Sequence, residues 1–384
     1  MQGLAALTAI LGLASAASLQ PRQAVACNNS PDLCDKSYSA ITHLGAHDSP
    51  FLRDASTDDS TSGNQYYNTT VQLNAGVRLV TAQVHNSNNE WHLCHTSCDL
   101  LDAGLLKDWL VEIKTWMDAN PNDVVTILLV NSDNATPTQL SSEFVQSGIA
   151  TYGYVPPSDT TPPTNGVWPT LQELITLKQR LMVFIASFNG ETYTAGQHYL
   201  MDEFAFIFEN PFQNNNATQF SCTANRPSIY NGNTQAAISS GRMSLVNHFL
   251  DTATGILDID IPNVDAINQT NSPSDSAVGN LGYTAKACQQ EYGKQPTFLL
   301  VDFFDQGPAI QTVDSLNGVT SPVGRIQPPP RDSKSDRTVS TFTGVADLVA
   351  EEAAGMKPSL GAWIWAAGDW SWGGINLSGG SVVS

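Results

Sequence analysis

Residues 100–130 read LLDAGLLKDWLVEIKTWMDANPNDVVTILLV, and the order of its three parts decides the fold. Leu101, Leu105, Trp109, Ile113 and Trp116 recur at helical spacing, so they share one face of a helix expected over Leu100–Ala119. Asn120-Pro121-Asn122-Asp123 stops that helix. Val124–Val130 is then so apolar that both faces of its sheet must be covered. A helix feeding such a strand is half of a parallel βα unit.

The same alternation extends in both directions. Upstream, strands are expected over Ala40–Leu44, ending at Gly45-Ala46-His47-Asp48-Ser49, and over Gly76–His85. Downstream, a helix over Leu171–Arg180 leads into a strand at Leu181–Ala186. Strands at Ala205–Phe208, Ser244–Phe249 and Phe298–Phe303 follow, with helices at Ala309–Leu316 and Val345–Ala354 and a closing strand at Gly361–Ala366. About eight such units suit a closed α/β (β/α)8 TIM barrel better than an open sheet. Pro156–Pro163 and Thr320–Thr338 read as surface loops, so residues 24–384 form a single domain.

Composition narrows the function. Of 384 residues only 17 are Lys or Arg against 36 Asp or Glu, a net charge of −19. Without a basic stripe there is nothing to displace counterions from nucleic acid, and tight docking on an anionic bilayer is disfavoured, though transient membrane contact is not. The apolar run Leu4–Leu13 followed by Ala14-Ser15-Ala16 reads as a signal peptide over 1–17, and the C-terminus lacks the hydrophobic tail of a lipid-anchor signal. A secreted, extracellular monomer is expected. Six cysteines agree with export; the simplest of their fifteen pairings follows chain order, Cys27–Cys34, Cys94–Cys98 and Cys222–Cys288. Sequons at Asn28, Asn68, Asn134, Asn216, Asn268 and Asn376 are candidate glycosylation sites.

A barrel places its reactive groups where strands end. That rule selects His47, Asp48, Gln83, His85, His95, Glu209, His248 and Asp302. Two histidines arriving from neighbouring strands, His47 and His95, are the pair of most interest. Trp363, Trp365, Trp370 and Trp372 near the C-terminus form either a lipid- or sugar-facing rim or core packing.

Ile41-Thr42-His43-Leu44-Gly45-Ala46-His47-Asp48-Ser49 resembles the first motif of the phosphatidylinositol-specific phospholipase C X-domain family. Gly76-Val77-Arg78-Leu79, Trp91-His92-Leu93-Cys94-His95 and Leu300-Val301-Asp302-Phe303 resemble its later motifs in order, across residues 40–306. The stretches His-Leu-Cys-His-Thr-Ser-Cys and Glu-Asn-Pro-Phe are similar to those of fungal-type PLC-like phosphodiesterases. The resemblance implies cleavage of phosphatidylinositol or a related phospholipid or glycolipid by an internal hydroxyl. His47 would be the general base and His95 the general acid. Asp302 would orient His47, and Asp48 would sit beside the phosphate or the attacking hydroxyl.

This chain departs from the family at the second strand. Bacterial members carry an acid and a phosphate-neutralising arginine there, and calcium-dependent members carry two acids; here the positions hold Thr81 and Gln83. Gln83 offers phosphate a hydrogen bond without charge, and His85 shares its strand parity. Asp48 alone is too few oxygens for calcium, so no cofactor or metal is expected. Glu209 and His248 are expected to line the substrate pocket. Two other classes remain: a lipid- or glycan-binding barrel without turnover, and a glycoside hydrolase using Glu209 with Asp302.

Overall fold

The computed structural model describes residues 25–188, 190–253 and 260–331. The signal segment 1–17, the helix over 345–354, the strand over 361–366, the four C-terminal tryptophans and Asn376 lie outside the described residues. In chain order the strands are β1 (His43–Ala46), β2 (Leu79–Ser87), β3 (Glu90–Cys94), β4 (Asp102–Leu105), β5 (Val125–Asn131), β6 (Leu181–Ala186), β7 (Leu200–Asp202), β8 (Ile207–Glu209), β9 (Met243–Asn247), β10 (Asp251–Ala253), β11 (Asp260–Pro262) and β12 (Phe298–Val301). The helices are α1 (Thr69–Ala75), α2 (Leu106–Ala119), α3 (Pro137–Gln146), α4 (Leu171–Thr176), α5 (Glu203–Phe206), α6 (Thr234–Ser239), α7 (Ile267–Thr270), α8 (Leu281–Tyr292) and α9 (Ile310–Asn317).

The parallel strands pair in the order β7-β6-β5-β2-β1-β12-β9-β8, so chain order and spatial order agree around a ring. This is a (β/α)8 TIM barrel whose strands β7 and β8 are not paired with each other among the described residues. Only α5 connects those two strands, and a parallel pair needs a crossover of roughly a dozen residues or more. β12 lies beside β1, with Phe298–Val301 against His43–Ala46. Of Ala205–Phe208, read as a strand, Ala205 and Phe206 end α5 and Ile207 and Phe208 begin β8. Leu100–Ala119 starts its helix six residues late, because Asp102–Leu105 pairs with β3. Tertiary pairing outweighs helix periodicity there.

Strand parity sorts the side chains into two cores. One parity, with Leu79, Leu128, Phe184, Leu245, Phe298 and Leu300, fills the barrel interior. The other, with Val80, Ile127, Val183, Val246 and Leu299, packs outward with residues of α2, including Leu106, Trp109, Leu110 and Ile113. Each such side chain stabilises the fold by roughly 1.5–3 kcal/mol when fully buried. Tyr38 and Trp168, both fully buried, belong to the interior cluster, and Tyr38 hydrogen-bonds Thr126 at 2.6 Å. Gly45 sits where a Cβ would lie 2.7 Å from Leu300 and 2.8 Å from Leu79, so the interior leaves no room for a side chain one inward position below His47.

All three disulfides join the cysteines in chain order: Cys27–Cys34, Cys94–Cys98 and Cys222–Cys288. The last ties the segment after β8 to α8 across 66 residues. Cys222→Ser is therefore expected to destabilise the fold by about 2–5 kcal/mol. A thermal melt of the variant matching the parent would contradict that assignment. Of the sequons, Asn68, Asn134, Asn216 and Asn268 are exposed. Asn28 is not: it is buried, and its side-chain oxygen accepts the Val124 N–H at 2.7 Å. The folded chain has no room for a glycan at Asn28, which corrects the expectation for that site.

Candidate active site

The inward parity of the ring places His47, Gln83, His85, Glu209, Asn247 and Asp302 at or just beyond the C-terminal ends of their strands. His47 follows β1, and its N–H donates to Val301 O at 2.8 Å, which carries the β1–β12 pairing one residue further. Its Nδ1 donates to Asp302 Oδ1 at 2.9 Å, leaving Nε2 free to face the pocket. Asn64 Nδ2 donates to the same carboxylate oxygen at 3.1 Å. The His47 ring also stacks on Phe249, centroids 3.9 Å apart and planes 3° from parallel.

Asp48 has the outward parity, yet its backbone turns left-handed at φ +46°. Aspartate tolerates that region better than most residues. The turn is held by Thr81, whose Oγ1 accepts the Asp48 N–H at 2.8 Å and whose carbonyl accepts the Ser49 N–H at 2.8 Å. Asp48 Oδ2 consequently lies 3.7 Å from His47 Nε2 and 3.7 Å from His95 Nε2. The two Nε2 atoms are thus no farther apart than twice that distance. They can stand on either side of one phosphorus atom.

His95 is carried by the loop after β3, inside the Cys94–Cys98 disulfide, with its ring edge-on to Phe51. Gln83 ties this loop to Asp48: Nε2 donates to Asp48 Oδ2 at 2.7 Å, and Oε1 accepts the Thr96 N–H at 2.8 Å. Gln83 thereby positions the acid and the second histidine, and its neutral amide brings no charge to replace a phosphate-binding arginine. Gln83→Leu keeps the size but removes both bonds and is expected to cut turnover by roughly 10–100-fold, as misplacement of a reacting group does. Steady-state kinetics on a variant with unchanged melting temperature checks it.

The two imidazoles carry different charge. Burial depresses the His47 pKa, but Asp48, then Asp302 by charge and hydrogen bond, and Asp251 outweigh it and lift the ring to about 9. Burial lowers the His95 pKa, and Asp48 only partly opposes it. Near neutral pH His47 is charged and His95 neutral. The resemblance gave them the opposite starting states; Asp48 and Asp302 act on both rings, but only His47 has the Asp302 hydrogen bond and Asp251, while the neighbouring His47 further lowers His95.

The remaining candidates separate. His85 Nδ1 lies 3.6 Å from Asp133, and burial lowers its pKa despite that acid, so at neutral pH it brings no positive charge to the pocket in place of the family's arginine. Glu209 is buried and ion-paired with Arg226, with Asn247 Nδ2 donating to it at 3.3 Å. Burial alone would raise the Glu209 pKa, but Arg226 brings it below the usual range, the wrong direction for a glycosidase acid. His248 is not in the pocket. It has the parity of Val246, is wholly buried, hydrogen-bonds Thr270 O at 3.0 Å, and packs on Phe220. Burial pushes its pKa down to about 4, which makes it a neutral core histidine.

Three residues of the site carry no sequence signal that singled them out: Asn64, Phe249 and Asp251. Burial, reinforced by Asp302, pushes the Asp251 carboxyl up to about 8. Among the described residues, Cys94, Cys98 and Asp102 lie close enough to one another to hold a cation, but both sulfurs are tied up in the disulfide.

Ring and site together define a TIM-barrel protein with two histidines converging on one carboxylate at its C-terminal rim. The chain belongs to the PI-PLC X domain family, whose description PI-PLC X 1 matches residues 33–317. It is 33% identical over 312 residues to PI-PLC X domain-containing protein 1 of Arthroderma benhamiae, covering 81% of this chain and 95% of that protein. A second protein of that fungus, named an uncharacterized secreted protein, is 34% identical over 307 residues, 78% of this chain and 66% of its own length. The phosphatidylinositol-specific phospholipase C from Listeria monocytogenes aligns over 75% of this chain and 95% of its own, at 12% identity and a TM-score of 0.47. That likeness is too distant to add to the fold, which rests on the strand ring itself.

Proposed function

We propose that this chain is a secreted phosphodiesterase that cleaves phosphatidylinositol or a related inositol phospholipid without a metal, using His47 and His95 as a proton-transferring pair. The observation that carries the reading is the placement of both Nε2 atoms 3.7 Å from the single oxygen Asp48 Oδ2. The three disulfides and the relative named as secreted support export.

In the first step an inositol hydroxyl bonds to phosphorus as its proton passes to His47 Nε2. The bond from phosphorus to the diacylglycerol oxygen breaks, and that oxygen takes a proton from His95. A cyclic phosphate and diacylglycerol leave. The charge pattern of the free site, His47 charged and His95 neutral, is the state this step leaves behind. It is also the state from which water attacks the cyclic ester, with His95 as base and His47 as acid, because the reverse direction uses the same groups in exchanged roles. A phosphodiester anion bound beside His95 favours that ring's charged form, the direction cyclisation requires.

Purified protein incubated with phosphatidylinositol vesicles should release diacylglycerol equally well with and without a chelator. Folded protein that binds the vesicles but releases nothing would favour a lipid-binding barrel and sink this reading. Activity lost to the chelator would remove the metal-free mechanism.

A further inference from the structure

Beside Asp302, just after β12, a small and partly open cavity lies against α7 and the segments after β9 and β11. Its room for the centre of a water-sized sphere is ≈ 10 Å³, and Asp302, Asn271, Asn263, Ile267 and Phe249 are in its wall. A space of that measure holds about one water molecule. Two buried polar atoms of wall residues have no hydrogen-bond partner, Asp302 Oδ2 and Asn271 Oδ1. Both are acceptors by necessity. Asp302 Oδ1 already takes His47 and Asn64, and the Asn271 amide is fixed because its Nδ2 donates to the carbonyls of Asp302 and Phe303 at 2.8 and 3.2 Å. A buried carboxylate oxygen left without a donor is costly, and an apolar filling would not relieve it.

We propose that this cavity is a hydration site in which one buried water donates to both Asp302 Oδ2 and Asn271 Oδ1, making Asn271 a positioning residue for the Asp302–His47 pair. The water satisfies the far oxygen of the carboxylate and stops it from rotating, so the near oxygen stays on His47 Nδ1. Asn271 acts on the same residue twice, through its amide on the backbone and through the water on the side chain. The inference concerns the site read above as the reacting pair, but it does not need turnover to be true.

The test uses the full chain. A high-resolution crystal structure is expected to show one water within hydrogen-bonding distance of both oxygens; a dry cavity, or a cation there, overturns the proposal. Ile267→Phe pushes a ring into the same space while leaving every polar partner in place. An NMR titration of the His47 ring, which is faced by Asp48, Asp302 and Asp251 and stacked on Phe249, should then move to higher pH, because a carboxylate with one donor fewer holds the imidazolium proton more tightly. Where Ile267→Phe fails to fold, Ile267→Met is the milder probe. An unmoved titration in a folded variant whose water is shown to be displaced also overturns the positioning role. An inactive protein leaves both readouts intact, so failure of the phosphodiesterase reading is distinguishable from failure of this one.

Discussion

Alanine at His47 is expected to lower turnover of phosphatidylinositol by roughly 10²–10⁴-fold, and alanine at His95 by a similar factor, the range for losing one member of an acid–base pair. The two losses should not multiply. Once one imidazole is gone the other has no proton to pass on, so the double variant falls about as far as the worse single one. The KM should change little, because each ring acts on protons rather than on the bulk of the lipid. Removing His47 also leaves Asp302 and Asp48 without their shared cation, which threatens the local fold. His47→Gln is the control, since an amide can still donate to Asp302 but transfers no proton. Substantial turnover in folded His47→Gln or His95→Ala would end the paired-histidine account.

How far the site could be read in the sequence follows from one geometric fact. Side chains alternate along a strand, so once β1 and β12 are placed, His47 and Asp302 fall on the inward parity together and their meeting follows. The same count puts Asn247 inside and His248 outside, and the sequence already held that information. Asp48 escaped parity because a left-handed backbone, invisible in the residue order, swings it inward. Gln83 was placed correctly, but its partners Asp48 and Thr96 were not legible: they come from the β1 turn and from the disulfide loop, segments joined only in space. Asn64 sits in a loop without periodicity, so nothing local marked it; Phe249 shares the inward parity of Asn247 at the end of the expected strand, but an apolar side chain there reads as core. In the fold, β6 was legible to the residue because Leu181–Ala186 is apolar on both faces. The β7–α5–β8 stretch was not, since a four-residue helical turn between two short strands carries neither helical nor alternating pattern.

The charge on His47 is set by acids around it, so Asp302→Asn separates its electrostatics from its orientation. In the parent enzyme one imidazole must be neutral and the other charged. Activity should rise with pH as His95, whose pKa lies below the ordinary histidine value, loses its proton, and fall as His47 loses its own near pH 9. Asparagine at position 302 keeps an oxygen for His47 Nδ1, and Asn64, which donates to that same oxygen, holds the new amide in this orientation. What disappears is the negative charge that raises the ring. The sign is therefore fixed: the alkaline limb should move down from about 9 toward the ordinary histidine range, narrowing the bell from its high-pH side. Turnover at the optimum should fall by roughly 10²–10⁴-fold, because the imidazolium formed on His47 as it takes the hydroxyl proton has lost its nearest counter-charge. The full pH dependence of kcat/KM for parent and variant reads both effects at once. A variant that is slow with an unmoved alkaline limb would mean either that His47 is not the group titrating there or that Asp48 rather than Asp302 governs its proton.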